Sequence, residues 1–209
     1  MYKALIFTGL MALGAVTVAA GGDRGSAALE ATPWNVDAPH TEINFSVRHF
    51  FTPVSGRFED FEIDLAFDPE SPERSSVEVR IAVPSINTSN EKRDNHLRSG
   101  DWFEAESYPY ITFKSSSVTQ TAADRLLARG ELTIKDVTQE VELPITLLGV
   151  QDIPEQMREM LGGVTQVASF QAETKLDRRD YGVGTGNWAM TAVVGADVGV
   201  EIIVEAKQK

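Results

Sequence analysis

The sequence predicts an all-β protein: an eight-stranded antiparallel up-and-down barrel with one or two short helices in its connections. Three observations lead there. After Pro33, apolar and polar residues alternate with period two through most of the chain, which places apolar side chains on one face of a strand and polar ones on the other. The breaks between these runs are short, as in Asp68-Pro69-Glu70-Ser71-Pro72 and Lys135-Asp136-Val137-Thr138, so neighbouring runs pair as antiparallel hairpins rather than through helical crossovers. A meander with one apolar face buries that face as a sandwich or as a barrel. Closure also removes the unpaired strand edges that invite aggregation.

The first run sets Ile43, Phe45, Val47 and His49 opposite Asn44, Ser46 and Arg48. In the second, Phe61, Ile63, Leu65 and Phe67 alternate with Glu62, Asp64, Ala66 and Asp68; in the third, Val77, Val79, Ile81 and Val83 alternate with Glu78, Arg80 and Ala82. The fourth is brief, with Ile111 and Phe113 facing away from Tyr110, Thr112 and Lys114. Leu126, Ala128, Leu132 and Ile134 oppose Arg129, Glu131 and Thr133 in the fifth, and Val141, Leu143, Ile145 and Leu147 make the sixth. Ala168, Phe170, Ala172, Thr174 and Leu176 form the seventh, against Gln171, Glu173 and Lys175. Val198, Val200, Ile202 and Val204 form the eighth, against Asp197, Glu201 and Glu205. Two connections are longer. Glu91 to Ser99 reads as one or two helical turns capped by Ser89 or Asn90, and Ile153 to Leu161 as a short amphipathic helix ended by Gly162-Gly163.

Eight strands enclose a lumen that is either filled by side chains or wide enough for one slender ligand. The inward set mixes the large Phe45, Phe61, Phe113 and Phe170 with the small Ala128, Gly130 and Ala172, and alternation leaves both outcomes open.

Composition bounds the function. A chain of 209 residues, 42 % hydrophobic and 24 % charged, suits one domain, here residues 33–209, whose core needs no metal or disulfide staple. The formal net charge of −12, with no run of more than two adjacent basic residues, excludes a nucleic-acid surface. With no cysteine there is no disulfide, thiolate metal site, cysteine nucleophile or lipoprotein acceptor. Residues 1–20 read as a cleaved signal peptide: one Lys3, an apolar stretch from Ala4 to Ala20, and small residues Val18, Ala19 and Ala20 at its end. A membrane anchor is the other reading, at the short end of spanning length. Residues 21–32, rich in Gly and Ala, read as a disordered leader. The expected location is the bacterial periplasm.

Any metal or general-base chemistry must use His40, His49 or His96. His40 and His49 lie nine apart and would point to opposite faces of an unbulged strand, so no metal site is expected. His49 shares a face with Phe45 and Val47, which makes it either a head-group contact beside the lumen or a hydrogen-bonded core residue. Asp37 with His40 and Asp94 with His96 suggest hydrolytic machinery only weakly, since no Gly-x-Ser-x-Gly elbow accompanies them. Asp94, four residues before Arg98, reads as half of a helical ion pair, and Glu104 and Glu106 as solvated charge. Gly182-Val-Gly184-Thr-Gly186 has only the outline of a phosphate loop and reads as a flexible rim loop. Trp102, Phe103, Tyr108 and Tyr110 could gate an apolar tunnel or pack their excursion onto the barrel, and Trp188 is a second gate candidate.

Asp37-Ala-Pro-His40, Phe45-Ser-Val-Arg-His49 and Gly56-Arg-Phe58 resemble the opening signature of the YceI-like family. So do Ser85-Ile-Asn-Thr88, Arg93-Asp94-Asn-His96-Leu97, Asp101-Trp-Phe103, Tyr108-Pro109 and Ile111-Thr-Phe113-Lys-Ser115. Gly130-Glu-Leu-Thr-Ile134, Val137-Thr138 and Arg178-Arg-Asp-Tyr-Gly182 are similar to its later motifs. The likeness runs in order from about Trp34 to Ala206 and is weak over Val150 to Val164 and Gly184 to Val194. It implies a lipocalin-like periplasmic barrel whose tunnel binds a polyisoprenoid chain, that of a quinone or prenyl lipid, without established catalysis or any other cofactor. It also fits delivery to a quinone-using membrane partner such as a b-type cytochrome. Taken with the inward faces, it makes Phe45, Val47, His49, Phe58, Phe61, Ile81, Ile86, Phe103, Ile111, Phe113, Leu132, Leu143, Phe170, Ala172 and Trp188 the candidate lipid contacts. The alternatives are a packed structural or stress-response barrel acting through its acidic surface, and an unrecognised hydrolase.

Overall fold

The computed structural model describes residues 31–209; the expected signal peptide, and the expected leader up to residue 30, lie outside the described residues. Its strands are β1 (Pro33–Val36), β2 (Glu42–His49), β3 (Thr52–Phe58), β4 (Phe61–Ala66), β5 (Ser76–Ala82), β6 (Ile86–Asn87), β7 (Tyr110–Ala122), β8 (Arg125–Ile134), β9 (Val137–Asp152), β10 (Gln166–Asp177) and β11 (Val194–Gln208). Two short helices, α1 (Glu91–Arg98) and α2 (Glu155–Arg158), lie in connections. Among the described residues no helix is long and apolar enough to cross a membrane.

The strands form a closed, antiparallel, eight-stranded barrel. In the ring β1-β4-β5-β7-β8-β9-β10-β11, the short β1 closes the circle by pairing with β4 at Trp34↔Leu65 and with β11 at Val36↔Ala206. The remaining three strands continue walls already counted. β2 runs parallel to β1 and pairs further along β11, at Ile43↔Ile202, so the two are halves of one strand broken by the turn Ala38–His40 with its Pro39. β3 and β4 are likewise one strand bent at Glu59-Asp60, and β6 carries β5 past the turn Val83–Ser85 to meet β3 at Phe58↔Ile86. Each predicted alternating run is thus one wall of the barrel.

Bulges explain where period two fails. Phe113 and Val118 are five apart, yet both are buried, because the extra residue between Ser115 and Ser117 resets which way the strand faces. Gly130 sits opposite this bulge; a Cβ there would come within 2.3 Å of the Lys114 carbonyl oxygen. On β9 the register skips Leu148, between Leu147↔Phe170 and Gly149↔Ser169, which leaves that leucine exposed.

β2, β5, β8 and β10 all run toward the end that carries α1, and β7 and β9 run toward the end that carries α2. At the α1 end, Asn90 caps the helix by accepting from the Arg93 N–H at 3.0 Å. The expected Asp94–Arg98 pair does not form. Asp94 is buried and accepts from the Thr88 N–H at 2.9 Å, while Arg98 donates to the carbonyls of Pro84 and Ile86, so both residues pin the helix to β6. At the other end α2 is a single turn from Glu155 to Arg158, too short to lay an apolar stripe on the core, and Met157, Met160 and Leu161 stay exposed. The barrel's contacts start slightly ahead of Pro33: Ala31 is buried, and the Thr32 carbonyl accepts from the Phe67 N–H.

Candidate binding site in the barrel interior

The interior is not packed solid. A cavity of about 190 Å³ occupies the α1 end and one of about 80 Å³ the α2 end. Val79, Phe113, Leu143 and Ile202 border both, so the two spaces lie on either side of one apolar waist. Either volume exceeds what a single water needs, and walls of aliphatic and aromatic side chains give water too few partners to hold it.

Most candidate contacts face these spaces. Phe45, Val47, Phe58, Ile81, Phe103, Ile111 and Leu132 line the larger cavity, Phe170 and Ala172 the smaller, and Phe113 and Leu143 both. The others do not. His49 is exposed at the last position of β2, where it pairs with Thr52 to close a turn and meets Phe50 edge-on at 4.8 Å; its height along the strand puts it beyond the cavity. Phe61 packs against the core from the start of β4, and Ile86 is fully buried in β6. Trp188 meets Trp102 at a tilt and His96 edge-on, with ring centroids 5.7 and 5.0 Å apart, behind the cavity wall. Trp102 and Phe103 do line the larger cavity, whereas Tyr110 lies outside beneath the Arg80 guanidinium, 4.6 Å away.

Room for Phe45 depends on a glycine. Gly56 is its cross-strand partner, and a Cβ at that position would lie 2.4 Å from the Phe45 ring. Gly56→Val is therefore expected to lower the free energy of unfolding by about 1–3 kcal/mol in a urea titration, through forced movement of that ring.

Sequence reasoning missed the residue that organises the α1 end. Arg178 is only 5 % exposed, lines the larger cavity and lies 5.1 Å from the Trp102 ring. Among the described residues its guanidinium has no carboxylate partner; it donates to the carbonyls of Val183, Gly184, Trp188, Val194 and Gly195. Burial lowers its pKa. Gly184 adopts φ +80°, and a Cβ there would lie 2.3 Å from Arg178 Nη1, so the segment expected as a flexible glycine loop is instead wrapped around one side chain. Within a strand-ending Arg178-Arg179 pair, nothing in the local pattern distinguishes the buried arginine from the exposed one.

The turn Arg178–Tyr181 begins at Asp177, whose carboxylate accepts from the Arg179 N–H and side chain. Those bonds hold Asp177 at about pKa 2, below its usual 3.8. A carboxylate lowered in the folded state stabilises it above the unfolded pKa and loses that contribution as pH falls through the folded one. Stability measured between pH 4 and pH 2 is therefore expected to fall less steeply in Asp177→Asn than in the parent.

The histidines do not converge. His40 belongs to the Ala38–His40 turn rather than to β2, so strand parity does not apply to it. Its ring nitrogen lies 2.6 Å from Asp37 and 3.8 Å from Glu205, and together these three could hold a metal ion. The Lys207 ammonium already bonds Asp37 and stands 3.6 Å from Glu205, which makes the group an ion-pair clasp at the β1–β11 seam. Asp37 is held below the usual carboxylate range first by Lys207 and then by His40. His96 pairs with Asp101 at 3.2 Å.

A closed antiparallel barrel around an unfilled apolar interior defines a small-molecule-binding architecture. The chain belongs to the YceI-like domain family, whose match covers residues 34–206. Protein YceI of Escherichia coli O157:H7 is 34 % identical over 162 residues, 77 % of this chain and 80 % of that one. The crystal structure of Burkholderia cenocepacia BcnA superposes with a TM-score of 0.73 at 25 % identity, covering 82 % of this chain and 99 % of its own. A polyisoprenoid binding domain from Saccharophagus degradans shares the fold at a TM-score of 0.62 and 14 % identity, over 86 % of this chain and 100 % of that domain.

Proposed function

We propose that the protein is an exported, periplasmic binder of long isoprenoids that holds the chain of a quinone or polyprenyl lipid across both cavities, as carrier or store. The observation that carries this reading is the pair of apolar cavities, one toward each end of the barrel, that share Val79, Phe113, Leu143 and Ile202 as lining, an arrangement that suits an elongated ligand better than a compact one. The polyisoprenoid binding domain of Saccharophagus degradans, similar in fold, supports the same class of ligand. Each buried methylene contributes about 0.8 kcal/mol and an isoprene unit at most about 4 kcal/mol, so a few units offset the roughly 4–15 kcal/mol lost on association. No charge or catalytic group is required. His40 and His96 bond carboxylates outside both cavities, an arrangement that lends the hydrolase alternative no support, and the unfilled lumen speaks against a packed barrel. Because a bilayer buries the same chain equally well, delivery would call on a membrane partner that uses quinone.

Free energy gained per carbon makes affinity climb with chain length and depend little on the head group. Titration of the purified protein with isoprenoid alcohols of increasing length, with native mass spectrometry of the loaded complex, is expected to show that trend. Protein that is recovered lipid-free and takes up none of the series would overturn the reading.

A further inference from the structure

We propose that the protein docks on a phospholipid bilayer with one corner of its α1 end, formed by the β2–β3 turn and the connection between β10 and β11. This rests on the lipid-binding reading above and names the surface from which lipid would be exchanged.

The turn consists of Phe50 and Phe51, 49 % and 91 % exposed, and Met190 of the neighbouring connection is 67 % exposed. Turn chemistry does not select this pair. Phe50 has φ +49°, a conformation that two-residue hairpin turns ordinarily assign to Gly, Asn or Asp, and in which a bulky residue is strained. The aromatic tip is also firmly mounted: the Phe50 N–H donates to the Val193 carbonyl at 2.7 Å, and Arg48 donates to the Phe50 carbonyl. Turn and connection therefore present one joined surface. Val47 and Val198, just behind it, line the larger cavity.

Charge identifies the partner. The chain carries 31 acidic residues in 209, yet none lies between Ile43 and Phe58, and the stretch from Tyr181 to Ala196 has no charged residue at all; Asp197, which follows it, lies 3.7 Å from the Lys175 ammonium. The exposed Arg48 and His49 flank the tip. Anionic head groups repel the rest of the acidic surface and tolerate this corner, where aromatic side chains can enter the interface. A second exposed apolar group among the described residues, Met157, Met160 and Leu161 at the α2 end, is interleaved with Glu155, Arg158 and Glu159, a net negative segment, and lacks this match.

The test is sedimentation of the purified full chain with isoprenoid-free vesicles of phosphatidylcholine and phosphatidylglycerol at physiological salt. Partition is expected for the parent protein, to fall roughly tenfold or more in the Phe50→Ser/Phe51→Ser double variant, and to be unchanged in Met160→Ser. Phe50→Gly separates docking from folding: it relieves the strained turn, so it is expected to unfold at higher urea while binding vesicles more weakly. No partition by the parent, equal loss in Met160→Ser, or tip substitutions that alter self-association instead would overturn the proposal. Since the vesicles hold no isoprenoid, a failure here leaves uptake of dispersed isoprenoid intact, and a failure of uptake leaves docking measurable.

Discussion

Arg178→Met is expected to lower the free energy of unfolding by about 3–5 kcal/mol, because several carbonyls lose a charged donor at once, at about 1–3 kcal/mol for each one left unsatisfied, less what is regained by no longer burying an unpaired charge. Methionine restores most of the buried volume, so the loss isolates hydrogen bonding. Five carbonyls now satisfied by one guanidinium would lose their donor, those of Val183, Gly184 and Gly195 in a buried setting. Arg178→Lys keeps the charge but gathers its donors on one nitrogen, which cannot span carbonyls spread from Val183 to Gly195, and it should recover less than half of the deficit. Urea unfolding followed by near-ultraviolet dichroism, which reports on Trp102 and Trp188 packed beside this group, measures both. A deficit below about 1 kcal/mol in the methionine variant would show that the connection holds without its arginine.

Ala172→Phe is expected to separate binding from stability. Ala172 lines the smaller cavity, and an aromatic ring there would occupy space of about 80 Å³ that is otherwise empty. An isoprenoid long enough to cross the waist would forfeit about 2–4 kcal/mol of chain burial, roughly a thirtyfold to thousandfold weaker affinity, while a ligand confined to the larger cavity would bind as before. The thermal midpoint should hardly move. In a filled core the same substitution would instead destabilise by about 1–3 kcal/mol. Chain-length titrations beside thermal scans distinguish the outcomes, and unchanged affinity for the longest chains would sink the two-cavity path.

Much of this architecture was legible from alternation alone, because each wall buries one face against the lumen. The breaks within walls were harder. β3 is masked by Pro53 and by Gly56, which has no side chain to alternate, and β1 offers too few residues to show a period. β7 beyond Lys114 was lost because a bulge inside a serine run reverses parity. Parity says which face of a wall a residue takes but not how far along the wall it stands, and His49 stands past the end of the cavity. Arg178 was out of reach for another reason: its partners are backbone carbonyls, which leave no trace in residue identity.

Surface connections usually accept insertions as readily as substitutions. The segment after β10 should behave differently. Exposed positions such as Thr185, Asn187 and Ala189 are open to many residue types, but the carbonyls of Val183, Gly184, Trp188, Val194 and Gly195 must all arrive at one fixed point. Relatives that keep the arginine are expected to vary more in the composition of this rim than in its length.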